Sequence, residues 1–182
     1  MTSAAKGEGK STTIINLATV FGRQDEHVLV IDAQIRKTKS PSPFHPYCMK
    51  DSSNTQPKGL GEYLSYKVAS SEEIISQTIL PGVDMILKNE EAIIPDLLQS
   101  ARMSELMQEL KQLYSIIIIE GPAVNECVDS EILTNYCDAT LFVTSCDSLR
   151  PPAIQKALSR LKNTNIPPQG IILTNIKSVY SE

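Results

Sequence analysis

One run of residues near the start of the chain limits its possible folds more than any other feature. Residues 4–11 read AAKGEGKS, which matches the phosphate-loop pattern G-x-x-x-x-G-K-[ST] except for alanine in the first place. Glycines let such a loop curl so that successive backbone N–H groups point at phosphate oxygens. Because a loop of this kind joins a strand to a helix, the run predicts a protein of alternating strands and helices.

The loop pattern also assigns chemistry to particular side chains. Lys10 supplies a point charge to the β- and γ-phosphates of a nucleotide, and the hydroxyl of Ser11 ligates magnesium. We therefore predict ATP and Mg²⁺ as cofactors. The residues expected to contact the nucleotide are those of the loop and the first helical turn: Lys6, Gly7, Glu8, Gly9, Lys10, Ser11 and Thr12.

Short apolar runs indicate strands of a parallel sheet that is covered on both faces. They are Val28–Ile31, Val83–Leu87, Ile116–Ile119, Leu141–Thr144 and Ile171–Thr174. Apolar residues also recur at helical spacing. These stripes are Ile14, Leu17, Ala18 and Phe21; Leu106, Leu110, Leu113 and Tyr114; and, behind Pro151 and Pro152, Ile154, Ala157, Leu158 and Leu161. The repetition of strand, helix and strand predicts a doubly wound, mainly parallel α/β sheet with helices on both faces, the P-loop NTPase class.

The start of the chain leaves little room for the strand that normally precedes a phosphate loop. Only Met1, Thr2 and Ser3 stand before the run, so we predict that this strand is lacking. The rest of the chain shows no repeat and no second domain, which favours a single P-loop domain over residues 1–182, truncated at both ends. Residues 33–58 are rich in Ser, Pro and Lys and show no period, which indicates a functional or mobile loop.

Composition argues against several other classes of protein. The net charge of −4 gives no reason to expect nucleic acid as a partner, and Arg36, Lys37 and Lys39 form the only local basic cluster. The four cysteines match no zinc-binding spacing. No apolar run approaches the ~20 residues that span a bilayer. The default expectation is a cytoplasmic protein with reduced thiols.

Several runs together resemble bacterial protein-tyrosine kinases of the capsule and exopolysaccharide systems. The resemblance is carried by residues 2–17, by VLVIDAQIR at 28–36, by GLGEYL at 59–64, by PDLLQS at 95–100 and by IIIIEGP at 116–122. These kinases belong to a wider class of P-loop ATPases that includes the chromosome-partitioning and cell-division ATPases. The likeness covers nearly the whole chain.

The resemblance implies an activity, a set of site residues and partners. Proteins of this family transfer the γ-phosphate of ATP to tyrosines at their own C-terminus, and phosphorylation cycles govern polysaccharide polymerisation and export. By resemblance, Lys10, Asp32 and Glu120 are catalytic residues, and Ser11, Asp32 and Glu120 are magnesium ligands. The family further implies a membrane-embedded activator that regulates chain length, self-association into a ring, and a location at the inner face of the cell membrane.

This sequence departs from the family pattern at residues expected to bind magnesium and activate the tyrosine hydroxyl. Gln34 stands where the family has a second carboxylate, and Glu120 replaces the usual Walker B aspartate. The extra methylene of Glu120 moves the carboxylate by roughly an ångström, a displacement that can cost ~100-fold in rate. Glutamine brings no negative charge for magnesium or for a proton. Tyr180 is the lone tyrosine near the end. We therefore expect nucleotide binding with reduced phosphoryl transfer.

Alternative functions stay open on sequence grounds. A regulator would use nucleotide only to change its shape and partner affinity, without phosphoryl transfer. A partitioning or cell-division ATPase would carry its signature lysine where Ala5 stands, and Lys6 is one residue out of register. An iron–sulfur ATPase would use Cys127, which follows the strand ending at Glu120. A buried structural thiol is the simpler interpretation of Cys127.

Overall fold

Strands and helices alternate along the chain in the computed structural model, which describes residues 1–34, 36, 41–49, 58–88, 95–148 and 150–176. The strands are β1 Thr2–Ser3, β2 Val28–Asp32, β3 Ile75–Gln77, β4 Val83–Ile86, β5 Ile116–Glu120, β6 Thr140–Ser145 and β7 Pro168–Thr174. The α-helices are α1 Lys10–Gly22, α2 Leu60–Leu64, α3 Ala101–Leu113, α4 Asp129–Leu133 and α5 Pro151–Leu161. Short 3₁₀ helices cover His45–Tyr47, Ser71–Ile74, Pro95–Gln99, Thr134–Tyr136 and Cys146–Ser148.

The chain forms two compact units, and the first of them is Ser11–Gly121. Its strands follow the order β3-β4-β2-β5. β2 runs parallel to β4 and β5, with Val28 opposite Val83 on one side and Ile116 on the other. β3 runs antiparallel to β4. All five residues of β2 are buried, as expected for a strand with neighbours on both sides and cover on both faces.

The second unit, Met1–Lys10 with Pro122–Glu182, contains a parallel sheet in the order β1-β6-β7. Helix α5 begins with two prolines, whose fixed φ suits a first helical turn. Its apolar stripe belongs to the core of this unit, as predicted. The core cluster contains Ala4, Val124, Phe142, Ala157 and Leu161, with Ile154 and Leu158 packed against it.

The predicted lack of a strand before the phosphate loop is wrong. Thr2 and Ser3 form β1, and they pair with Phe142 and Val143 of β6. The Ser3 carbonyl also accepts a hydrogen bond from the N–H of Val124 at 2.9 Å. Two residues suffice as a strand because backbone partners from elsewhere in the unit hold them.

The other predicted strands are confirmed as β2, β4, β5, β6 and β7, and the mainly parallel α/β class is confirmed with them. β7 differs from the expectation of burial on both faces. Its residues alternate between half-buried and exposed, and Ile171 and Leu173 are 55% and 50% exposed. Among the described strands β7 pairs only with β6, and it lies at the edge of the sheet that these strands form.

Helix α3 shows how the sequence sets the start of a helix and its buried face. The Ser100 hydroxyl caps the helix by accepting the N–H of Met103 at 3.2 Å, which satisfies a donor that lacks an intrahelical partner. Leu106 and Leu110 are fully buried, as the predicted stripe requires. Leu113 is 55% exposed, contrary to the prediction, because it is the last residue of the helix.

Some predictions concern residues outside the described ranges, namely Lys37, Lys39, Tyr180 and part of segment 33–58. The single domain over residues 1–182 also stays a prediction. No helix in the described part of the chain combines the length and the apolar character needed to cross a bilayer.

Candidate phosphate-binding site

The phosphate loop, residues 4–9, connects β1 to α1. Gly7 and Gly9 have φ angles of 79° and 89°, in the left-handed region that favours glycine. Ala4 replaces the first glycine of the pattern. It is 3% exposed and belongs to the same apolar cluster as Val124 and Phe142. The core therefore accommodates the extra methyl group, and the loop keeps glycine at the two positions where the backbone requires it.

Lys10, the first residue of α1, is held at the base of the loop. Its Nζ donates to the Ser3 hydroxyl at 2.9 Å, and that hydroxyl donates to the Ala5 carbonyl at 2.7 Å. Lys10 is 6% exposed. These contacts give the ammonium group a defined position beside the loop backbone. Phosphate binding by Lys10 stays a prediction.

Glu8 and two threonines connect the loop to the sheet of the same unit. One oxygen of the Glu8 carboxylate accepts the N–H of Ala5 at 2.8 Å, and the other accepts the Thr144 hydroxyl at 3.1 Å. The Glu8 carbonyl accepts the Thr174 hydroxyl at 2.8 Å. Sequence reasoning missed both threonines, although each one ends a predicted strand.

Two of the predicted contact residues, Lys6 and Thr12, are exposed. Lys6 forms an ion pair with Glu126 at 3.1 Å, and the two side chains are 64% and 40% exposed. Thr12 is exposed in the first turn of α1. An exposed ion pair contributes little to stability, so a competing anion can separate it at small cost. Nucleotide contacts by Lys6 and Thr12 stay predictions.

Asp32 and Glu120 are the last residues of β2 and β5 and lie opposite each other in the parallel register. Both are buried, at 0% and 1% exposure. The Ser11 hydroxyl lies 2.8 Å and 3.0 Å from the two oxygens of Glu120. The unit Ser11–Gly121 therefore brings together Ser11 and Glu120 by direct contact, and Asp32 with Glu120 as neighbours on paired strands.

Asp32 has further partners on the segment that follows β2. Its Oδ2 accepts the Ser42 hydroxyl at 2.6 Å, and its Oδ1 accepts the N–H of Gln34 at 3.1 Å. The Gln34 side chain is half-buried. Ser42 was missed by sequence reasoning, because nothing local distinguishes it from the other serines of segment 33–58.

The donor set of Ser11, Asp32 and Glu120 fits magnesium. It offers one hydroxyl and two carboxylates, and Mg²⁺ prefers oxygen ligands. In the described part of the chain, no group of three or more His, Cys, Asp or Glu side chains is arranged to hold a metal ion. Magnesium needs no such group, because it is usually held by one or two carboxylates together with waters and substrate phosphates.

Comparison with known proteins finds a matching family model and relatives that cover nearly the whole chain. Residues 2–165 match the family model described as AAA domain. The tyrosine-protein kinase YwqD of Bacillus subtilis is 33% identical over 184 residues, which cover 100% of this chain and 74% of YwqD. The tyrosine-protein kinase CpsD of Streptococcus pneumoniae serotype 4 is 30% identical over 179 residues, which cover 97% of this chain and 74% of CpsD.

Among solved structures, the kinase domain of VpsO is similar to this chain with a TM-score of 0.81 and 26% sequence identity. The similarity covers 96% of this chain and 82% of the VpsO chain. The α/β fold, the phosphate loop and these relatives agree with one another. The chain belongs to the bacterial tyrosine-protein kinases that are built on a P-loop domain.

Proposed function

We propose that this chain binds ATP, with the phosphates received by the loop of residues 4–10. The observation that carries the proposal is the position of the Lys10 ammonium, which Ser3 holds at 2.9 Å beside a loop curled at Gly7 and Gly9. Backbone N–H groups in such a curl, a fixed cation and the N-terminus of a helix of 13 residues all favour a polyphosphate.

The proposal includes Mg²⁺ bound by Ser11, Asp32 and Glu120. When bound, the ion supplies positive charge to the β- and γ-phosphate oxygens. The chain's own residues have separate tasks. Lys10 neutralises phosphate charge, and Asp32 is the carboxylate best placed by the family pattern to orient a tyrosine hydroxyl and take its proton. Ser42 and the backbone of Gln34 hold the Asp32 carboxylate through hydrogen bonds.

We further propose phosphoryl transfer to tyrosine in the control of capsular or exopolysaccharide synthesis and export. The support is family membership, because relatives over nearly the whole chain are named tyrosine-protein kinases. A membrane-embedded activator, self-association and a place at the inner face of the membrane belong to the same proposal. They rest on the family resemblance alone.

A second candidate function is a regulator that binds nucleotide without phosphoryl transfer. Two observations favour it. Gln34 removes one of the carboxylates on which the family relies, and Glu120 stands in place of the Walker B aspartate. Both departures weaken magnesium binding and proton removal but leave the phosphate loop intact.

A paired measurement on the purified full chain separates the candidates. Calorimetric titration with Mg²⁺-ADP measures binding, and incubation with [γ-³²P]ATP followed by phosphotyrosine detection measures transfer. The kinase predicts binding and label on tyrosine, and the regulator predicts binding without label. Absence of binding would refute both, and the variant Lys10→Ala serves as the background for each assay.

A further inference from the structure

Glu8 is an unexpected residue to find buried in a loop that receives phosphate. The loop pattern accepts any residue at this position, and a negative side chain opposes the charge of the ligand. Yet Glu8 is only 2% exposed, which takes a carboxylate out of water at a considerable cost. A buried carboxylate that repels the ligand therefore needs a compensating role, such as hydrogen bonds that stabilise the conformation of the loop.

The hydrogen bonds of Glu8 bridge the loop and the sheet. Its Oε2 accepts the N–H of Ala5, three residues earlier in the same loop, at 2.8 Å. Its Oε1 accepts the hydroxyl of Thr144 in β6 at 3.1 Å. One side chain thus fixes the curl of the loop and fastens that curl to a strand.

The backbone of the same stretch is fastened to the neighbouring strand. Thr174, the last residue of β7, donates its hydroxyl to the Glu8 carbonyl at 2.8 Å. Its methyl group also packs closely on the next residue, because a Cβ added to Gly9 would lie 3.0 Å from Thr174 Cγ2. β6 and β7 are paired strands, so both attachments come from one sheet.

We propose that Glu8 is a positioning residue that holds the phosphate loop in its curled form before a nucleotide arrives. Its role depends on the two hydrogen bonds that the carboxylate accepts and not on its charge. It also reserves the N–H of Ala5, which is therefore not offered to phosphate. A loop ordered in advance loses less conformational freedom on binding, and affinity rises accordingly. This inference rests on the proposed nucleotide binding.

The test compares Glu8→Ala with Glu8→Gln in the full chain. Glutamine keeps an oxygen for the N–H of Ala5 and an amide that can donate to Thr144, but it carries no charge. Two quantities are measured: the hydrogen-exchange rate of the Ala5 amide without nucleotide, by NMR, and the Kd for Mg²⁺-ADP. We expect Glu8→Ala to raise both by about tenfold, which is the scale of one lost hydrogen bond. Glu8→Gln should restore most of the loss.

A second variant keeps the inference testable if Glu8→Ala folds poorly. Thr144→Val removes only the hydroxyl that donates to the Glu8 side chain. It should also weaken Mg²⁺-ADP binding. Where Glu8→Ala folds, the double variant should lose less than the sum of the two, since both changes remove the contact between Glu8 and Thr144. A purely structural role would instead lower the free energy of unfolding and leave the Kd unchanged.

Three results would overturn the inference. They are an unchanged Kd and an unchanged Ala5 exchange rate in Glu8→Ala, a loss in Glu8→Gln as large as in Glu8→Ala, or a Glu8→Gln variant that binds more than about tenfold tighter than the wild type. The last result would show that the negative charge of Glu8 weakens nucleotide binding by repulsion. If the wild type ignores Mg²⁺-ADP, the proposed function fails, while the Ala5 exchange rate still decides the role of Glu8.

Discussion

The hydroxyl of Ser11 lies 2.8 Å from Oε1 of Glu120 and 3.0 Å from Oε2. The one proton of the Ser11 hydroxyl is therefore donated to the Glu120 carboxylate. An aspartate at this position would have one methylene less, and its carboxylate would end roughly an ångström short of the present contact. The length of the Glu120 side chain therefore sets the distance between its carboxylate and the serine hydroxyl, whose oxygen keeps its lone pairs for a metal ion.

We predict that the double variant Gln34→Asp, Glu120→Asp hydrolyses or transfers the γ-phosphate of ATP faster than the wild type. The change restores one carboxylate and returns the other to the side-chain length of the family, and we expect a gain of about tenfold or more, because errors of an ångström in placement can cost ~100-fold. Release of labelled phosphate and phosphotyrosine formation are the measurements. Gln34→Asn with Glu120→Asp is the matched control for charge, and equal rates in both would contradict this account of the site.

We predict that Gly9→Ala destabilises the fold more than Gly7→Ala. Both residues have positive φ, which costs a residue with a Cβ about 1–2 kcal/mol. Only at Gly9 would the added Cβ also meet a neighbour, Thr174 Cγ2 at 3.0 Å, whereas at Gly7 nothing lies within 4 Å. Crowding of this kind adds about 1–3 kcal/mol. Urea unfolding of both variants measures the difference, and equal losses would show that Thr174 moves aside freely.

We predict an alkaline loss of stability that depends on Tyr114. Burial raises the pKa of Tyr114, and the hydrogen bond and charge of Asp84, whose Oδ2 accepts the phenol at 3.0 Å, raise it further. The folded state thus holds the proton more tightly than the unfolded chain, where the pKa of tyrosine is ~10. The contribution is complete below pH ~10 and is lost as the pH rises above that value.

The variant Tyr114→Phe tests this prediction. It should cost about 1 kcal/mol at neutral pH for the lost hydrogen bond and should flatten the decline between pH 9 and 11, measured as the free energy of unfolding in urea. Tyr66→Phe, at a tyrosine that is 72% exposed, is the control. An alkaline decline as steep in Tyr114→Phe as in the control would contradict the assignment.

Much of the fold could be predicted because motif spacing and apolar runs, which are local features of the sequence, determine it. The phosphate loop has a fixed spacing, and β2 and β5 are continuous apolar runs that end in Asp32 and Glu120. β1 could not be predicted, since two residues such as Thr2 and Ser3 carry no periodicity and form a strand only because β6 pairs with them. The exposure of Leu173 was missed for a similar reason, because strand pairing, which decides how much of a strand is covered, depends on tertiary structure.

The chemical groups of the candidate site could be predicted from the sequence, but the residues that hold them by hydrogen bonds could not. Lys10, Ser11, Asp32 and Glu120 follow from motif positions. Their hydrogen-bond partners come from distant parts of the chain, as with Ser42 for Asp32 and Thr144 for Glu8. Such contacts depend on tertiary structure, which no spacing rule encodes.

The most direct test of the central claim is the affinity of the full chain for Mg²⁺-ADP, measured by calorimetry in the wild type and in Lys10→Ala. Lys156→Ala, which removes an exposed lysine of α5, is the matched control. We predict saturable binding in the wild type and the control, and at least a tenfold weaker Kd in Lys10→Ala, since a charge-assisted contact contributes about 1.5–3 kcal/mol. Equal affinity in all three proteins, or no binding by the wild type, would contradict the claim that this loop binds phosphate.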